Sequence, residues 1–251
     1  MRTVKWVAAL AALALLIGAG VGCKDNEPQS ELDRFSAWAT GLEHQAMLDT
    51  LRTLAGTDGD KALYADFVLG NWFYQLASDS AAVNGWGEEP AKSLMDSSEV
   101  HFMRAVDRDT TFVEALVNLG SIWDDRSQQM AVLDDRKMRM DKAEMYYRKA
   151  LAVDPADEKA RCNLGGLYMR VRKTPEALAE FQTALEYDPE SALAHYNLAI
   201  MFAEAKIYRE AIREWELAVK YDPDGDIGNR SRENIKIVDD LMNAPTPANV
   251  Q

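Results

Sequence analysis

Residues 152–171 read AVDPADEKARCNLGGLYMRV, and residues 186–205 read EYDPESALAHYNLAIMFAEA. The second phrase restates the first thirty-four residues on: Pro155, Pro189 and Pro223 share that spacing, and each follows an aspartate, Asp154, Asp188 or Asp222. A blurred earlier copy, AVDRDTTFVEALVNLGSIWD, occupies residues 105–124. Internal periods of this size mark stacked helical arrays. Within the period, Leu164, Gly165 and Tyr168 recur as Leu198, Ala199 and Phe202, while Ala177, Phe181 and Ala184 recur as Ala211, Trp215 and Ala218.

Leu164 and Tyr168 are four apart, and Ala177, Phe181 and Ala184 fall at i, i+4 and i+7, so each set lines one helix face. Two short antiparallel helices per period follow. Gly165 or Ala199 on the first helix and Ala177 or Ala211 on the second lack bulk, which lets the axes approach to about 8–10 Å. The aromatic residues then fill the wider gap towards the neighbouring pair. Asp-Pro closes each unit, because the residue before proline is pushed out of the helical region and proline suits a helix start. In these sites, over residues 158–225, the chain resembles the tetratricopeptide repeat family. That resemblance implies an all-α fold, a right-handed superhelical solenoid of helical hairpins, with flanking helices at its two ends.

Upstream the pattern loosens. Leu119, Gly120 and Trp123 restate the first helix and Ala143, Tyr147 and Ala150 the second, with eleven extra residues between Gly120 and Ala143. One unit earlier, Leu69, Gly70 and Phe73 precede Ser98, Phe102 and Ala105 with an excess of sixteen, and Thr110 stands where the later proline would close the unit. Four units are therefore expected, at 63–112, 113–157, 158–191 and 192–225. Ser30 with Asp33 reads as the capped start of one N-terminal helix, to about Ala55, within a segment 30–62. A polar helix over 226–243, carrying Ile235, Val238 and Leu241, is expected to cover the last open face, as terminal units of such arrays must. Residues 244–251 are expected to be disordered.

The first residues carry a different signal. Arg2 and Lys5 precede an apolar run from Trp6 to Val21, followed by small residues ending on Cys23. This layout is that of an export signal over 1–22, shorter than the roughly 20 residues of a spanning helix. It resembles a bacterial lipoprotein signal, which implies a lipid on Cys23, a tether over 23–29, and an address on the outer membrane facing the periplasm. Gly20 departs from that signal, which usually has leucine three residues before the cysteine. Without residues 1–22 the chain holds 26 basic and 41 acidic residues, a net charge of −15. So acidic a surface repels nucleic acid and anionic lipid headgroups. The one other cysteine is Cys162, so an acylated Cys23 leaves no intramolecular disulfide.

Asn118, Asn163 and Asn197 each stand directly before the Leu-Gly or Leu-Ala pair. In the family resembled, first helices line the concave side, and asparagines at this site have two readings: they hold the backbone of an extended peptide, or they only bond a neighbouring turn or water. One amide both donates and accepts, matching a peptide group without reading its side chain. Each bond nets only about 0.5–1.5 kcal/mol, so a row of them holds weakly and tolerates sequence. Lys159, four residues before Asn163, shares its face and faintly resembles part of a carboxylate clamp, although Val117 and Ser121 stand where two polar clamp residues would be.

Trp86, in the glycine-flanked stretch NGWGEEP (84–90), has two readings: an exposed interface anchor, or a side chain folded back on the array. Asp222, Asp224, Asp226 and Glu233 have calcium-loop spacing, yet Ile227 occupies the place of the turning glycine, and the repeat register starts a helix at Asp226. An acidic turn is the plainer reading and no metal is expected. His44, His101 and His195 are scattered over different units, no catalytic motif appears, and Cys162 reads as a small buried side chain. The expectation is a non-catalytic scaffold for a protein or peptide partner, without a cofactor or small-molecule substrate. Its architecture is similar to pilotins of type IV pili and to envelope scaffolds; an escort for an outer-membrane subunit and a calcium-dependent sensor are the alternatives.

Overall fold

The computed structural model describes residues 30–128 and 133–243. Among these, the regular structure is entirely α-helical: α1 Glu31–Thr40, α2 His44–Ala55, α3 Asp60–Asn84, α4 Ala91–Arg108, α5 Val113–Gln128, α6 Leu133–Val153, α7 Glu158–Arg170, α8 Thr174–Tyr187, α9 Ala192–Glu204, α10 Tyr208–Tyr221 and α11 Asp226–Asn243. The chain divides into two compact units, one ending at Asp154 and one beginning at Pro155. In each, consecutive helices pair as hairpins: α3 with α4 and α5 with α6 in the first, α7 with α8 and α9 with α10 in the second.

The small residues of the repeat set the helix approach. A Cβ built on Gly70 would sit 2.6 Å from Phe102 Cε1, one on Gly120 3.0 Å from Tyr147 Cζ and nearer still to Cε1, and one on Gly165 2.8 Å from Phe181 Cζ. The ring of each second helix therefore lies against bare backbone of the first helix of its own hairpin, which corrects the expectation that it fills the gap towards the neighbouring pair. Ser98, the small residue of α4, donates from Oγ to the Gly70 carbonyl at 2.8 Å, fastening the same crossing. Phe102, Tyr147 and Phe181 are all but fully buried.

Turn chemistry explains the Asp-Pro steps, with one correction. Pro155 and Pro189 lie in the turns and do not start helices. The starts come later, where Asp157 Oδ1 accepts from the Ala160 amide at 2.7 Å and Ser191 Oγ from the Ala194 amide at 2.9 Å. The aspartate before proline turns the chain itself: Asp188 Oδ1 accepts from the Glu190 amide at 3.0 Å. Asp109 does the same for Thr111 at 2.8 Å, so the unit lacking the proline keeps the turn. Between first and second helix, Arg172 (φ 59°) and Lys206 (φ 62°) take the left-handed conformation one period apart.

The insertions lengthen helices. The excess of sixteen is absorbed by the 25-residue α3 and the loop before α4, and the excess of eleven by α5 and the 21-residue α6. The N-terminal segment departs from expectation. Its capping box is present, Asp33 N donating to Ser30 Oγ at 3.0 Å and Ser30 N to Asp33 Oδ2 at 3.2 Å. However, the chain breaks after Thr40, and α1 and α2 are two helices. The break lets Ala39, Met47 and Leu51 enter one core with Leu69 and Trp72 of α3. In the second unit α11 packs on α10 and α9, burying Val238 and half-burying Ile235 against Trp215 and Tyr196. Leu241 does not join them and is 56% exposed. Residues 244–251 lie outside the described residues.

Candidate functional site

The three asparagines stand on first helices, Asn118 on α5, Asn163 on α7 and Asn197 on α9, and all are half-buried. In the first unit Asn118 Nδ2 donates to Oδ1 of Asn71, on α3, at 3.0 Å. Asn71 is buried, and its own Nδ2 finds no acceptor among the described residues. From the same helix the Tyr74 phenol donates to the Asp125 carboxylate of α5. Burial, followed by the Asp125 charge and hydrogen bond, pushes the Tyr74 pKa far up, so this phenol stays a proton donor. Asn71, Tyr74 and Asp125 escaped the sequence reading because the slot before Leu69 holds Val68, which is buried. Only the packing of α3 on α5 shows that the matching amide comes three residues later.

In the second unit α7 packs against α9. Asn197 Nδ2 donates to the Leu193 carbonyl of its own helix at 2.9 Å. Its side chain also hydrogen-bonds the Cys162 thiol. Lys159 is exposed, one helical turn before Asn163. Asn118 and Asn197 thus already commit a donor inside the fold, as half-buried amides must.

Sequence models of the tetratricopeptide repeat match residues 162–226 and 131–157. Those two stretches carry tetratricopeptide repeats. Among solved structures, a thermophilic tetratricopeptide-repeat protein of Thermus thermophilus superposes with a TM-score of 0.59 at 17% identity, covering 80% of this chain and 94% of that one. YrrB, described as a repeat protein with an unusual peptide-binding site, matches with a TM-score of 0.44 at 20% identity, over 79% of this chain and 90% of its own. The protein MamA gives 0.45 at 13% identity, over 78% of this chain and 97% of its own. No curated protein matches the chain. At these identities the likeness to the Thermus protein is one of fold.

Outside the tetratricopeptide hairpin contacts, the other candidates are placed as follows. Trp86 is half-buried and leans on Tyr74, ring centroids 6.3 Å apart, so the folded-back reading replaces the exposed anchor. The packing is favoured because an indole sheltered on Tyr74 sheds apolar surface that a loop tip would leave in water. Asp222 Oδ2 accepts from the Gly228 amide at 3.2 Å, while α11, beginning at Asp226, carries Glu233 two turns along the helix. Asp222, Asp224, Asp226 and Glu233 are not gathered: no group of three or more metal-type side chains occurs among the described residues. Cys162 is buried, and burial, reinforced by Glu158 against the opposing Asn197 bond, drives its thiol pKa well up. Cys23 lies outside the described residues, among which no helix is long and apolar enough to cross a membrane. His44 opens α2, His101 stacks on Phe73 at 5.5 Å, and His195 is buried. An open cleft of about 640 Å³ in the first unit is lined by Phe35, Leu54 and Tyr64 together with charges of both signs, Glu31, Asp58 and Asp60 beside Arg34 and Lys61.

Proposed function

We propose that this protein is a non-catalytic scaffold that holds a partner protein, through an extended segment, on the first-helix faces of its tetratricopeptide repeats. The observation that carries the reading is the packing of α7 against α9 with Asn163 and Asn197 in the same register, one period apart, and exposed Lys159 beside them. Amides at a repeat interval suit a peptide backbone, and a lysine suits a carboxylate of the bound segment. YrrB, by its description, has a peptide-binding site on the same kind of repeat. Asn118, bonded to Asn71, offers a second amide pair in the first unit.

In the same proposal Cys23 carries a lipid that keeps the scaffold on the outer membrane facing the periplasm, where it serves the assembly of an envelope complex. The support is the arrangement of Arg2, Lys5, the apolar run and Cys23. No cofactor, metal or nucleic acid enters this function.

The test is a cross-linked pull-down from envelopes of cells making the wild type, a variant with Asn163→Ala and Asn197→Ala, or a Cys23→Ser variant. Weakened capture by the asparagine variant, at a temperature where circular dichroism shows it folded, and release of the Cys23→Ser protein from the membrane fraction are expected. An identical partner set at full yield from the asparagine variant refutes the peptide-holding face. Membrane retention of the Cys23→Ser protein refutes the anchor.

A further inference from the structure

The second unit repeats an inter-helix fastening as faithfully as it repeats its core. In the α7–α8 hairpin, Arg161 Nε donates to the Pro155 carbonyl at 2.7 Å, its Nη1 donates to Glu180 Oε2 at 2.9 Å, and its guanidinium lies 5.3 Å from the Tyr187 ring centre. Thirty-four residues on, each participant returns at its own place: Pro189, Glu214 and Tyr221. The cation does not. Where the first hairpin has arginine, the second has His195, with Nδ1 2.7 Å from Glu214 Oε2, Nε2 3.2 Å from the Pro189 carbonyl, and its ring stacked on Tyr221 at 5.6 Å. Both hairpins thus place a carbonyl and a carboxylate, two acceptors, around one side chain.

A guanidinium fills two acceptors at any accessible pH. An imidazole fills both only when both of its nitrogens carry protons, because the neutral ring has a single N–H. The same places in the first unit show that the fastening accepts other chemistry. In α3–α4 they hold Asp66, His101 and Arg108, the charges reversed: Asp66, fully buried, lies 2.9 Å from His101 Nδ1 and 3.0 Å from Arg108 Nε. In α5–α6 they hold Leu116, Tyr146 and Val153, with no charge.

We propose that His195 acts as the imidazolium counterpart of Arg161, making the closure of the α9–α10 hairpin dependent on pH while the α7–α8 hairpin stays closed. The surroundings favour the cation from several sides. The end of α8 and the turn after it bring Asp188 and the Pro189 carbonyl, and α10 brings Glu214 and Tyr221, with Lys220 Nζ 4.6 Å from the Tyr221 ring centre. The charges that α7 and α11 bring to the neighbouring residues are taken: Glu158 accepts from Ser191, and Arg230 lies 5.0 Å from the Tyr196 ring centre.

Burial by itself lowers the pKa of His195, but the Glu214 hydrogen bond, the Pro189 carbonyl and the charges of Glu214 and Asp188 outweigh it and raise the value above the ordinary 6.5. The sign follows. Because the folded value is the higher one, the stabilisation is complete below about pH 6.5 and is lost as pH rises through the folded pKa.

Two measurements on the full chain, with no ligand present, test this, so failure here leaves the peptide-holding proposal standing. The first is an NMR titration of the histidine rings, His195 being assigned by its absence in His195→Gln. A value above that of unfolded histidine is expected, and one at or below it overturns the proposal. The second is unfolding of the wild type, His195→Arg and Arg161→His between about pH 5 and 8. Each unit by which the titrated pKa exceeds the unfolded one should appear as an increase of about tenfold in the wild-type unfolding constant across this range. His195→Arg removes that component. Arg161→His gains a second pH-dependent component, which keeps the test open should arginine at 195 not fold. A pH dependence identical in the wild type and both variants overturns the proposal.

Discussion

Gly165 and Gly166 are neighbours on α7, and substituting each by alanine should move stability in opposite directions. Both are helix-interior glycines, so either change gains about 1 kcal/mol by restricting the unfolded chain. At Gly166 the new methyl meets only Arg170 Nη1, at 3.7 Å, an ordinary contact with the end of a flexible side chain. Gly166→Ala should therefore keep the gain. At Gly165 the methyl would lie 2.8 Å from Phe181 Cζ, 2.9 Å from Cδ1 and closer still to Cε1. Phe181 is 0% exposed and has no solvent to retreat into, so α8 must move away from α7. Overpacking of this kind costs about 1–3 kcal/mol, which cancels the helical gain and leaves a net loss of up to about 2 kcal/mol. At roughly 4–8 °C per kcal/mol for a unit of this size, Gly166→Ala raises the midpoint by about that much, and Gly165→Ala lowers it by up to about twice as much. Thermal unfolding followed by circular dichroism reads both. Adding Phe181→Leu to Gly165→Ala should relieve the clash and reveal coupling between the two sites. If both alanines raise the midpoint alike, the close crossing of α7 and α8 is not what fixes glycine at 165.

Two further outcomes follow from the buried polar groups. Asp66 is fully buried and holds His101 and Arg108, whose guanidinium also donates to the carbonyls of Ala55 at 2.7 Å and Thr57 at 3.0 Å. Asp66→Ala should destabilise the protein by about 3 kcal/mol, because it leaves the Arg108 guanidinium and the His101 ring without their shared acceptor; urea unfolding showing under about 1 kcal/mol would refute that role. The Cys162 thiol, buried with its pKa driven up, should resist alkylation by iodoacetamide at about pH 8 until the second unit opens. Peptide mass spectrometry of native and urea-treated protein reads this, and rapid native labelling of Cys162 would contradict its burial.

Much of the fold was legible because the repeat writes the same contact at each period. Which helices form each hairpin was legible from the spacing of Gly70, Gly120 and Gly165 to the later small residues, but that Phe102, Tyr147 and Phe181 lie on those glycines was not. The capping box at Ser30 and the final helix at Asp226 were legible too, since capping and turn residues act within a few positions. The break between α1 and α2 was not, for Gly41 carries ordinary helical dihedrals, φ −76° and ψ −9°, and local propensity does not demand a break there. The site was read in part. The placement of the candidate asparagines on first helices was legible, while the Asn71 partner of Asn118 and the Tyr74 neighbour of Trp86 came from another helix.

The sequence by itself determined which residues form hairpins and where each hairpin closes, because those contacts join positions at a fixed interval and depend on side-chain size and turn chemistry. Only the tertiary structure decided what the polar residues do: that Asn118 meets Asn71, that Trp86 shelters on Tyr74, and that His195 stands between two acceptors where Arg161 stands one period earlier. Hydrogen bonds depend on distance and direction between atoms from separate helices, and those quantities exist only once the helices have packed.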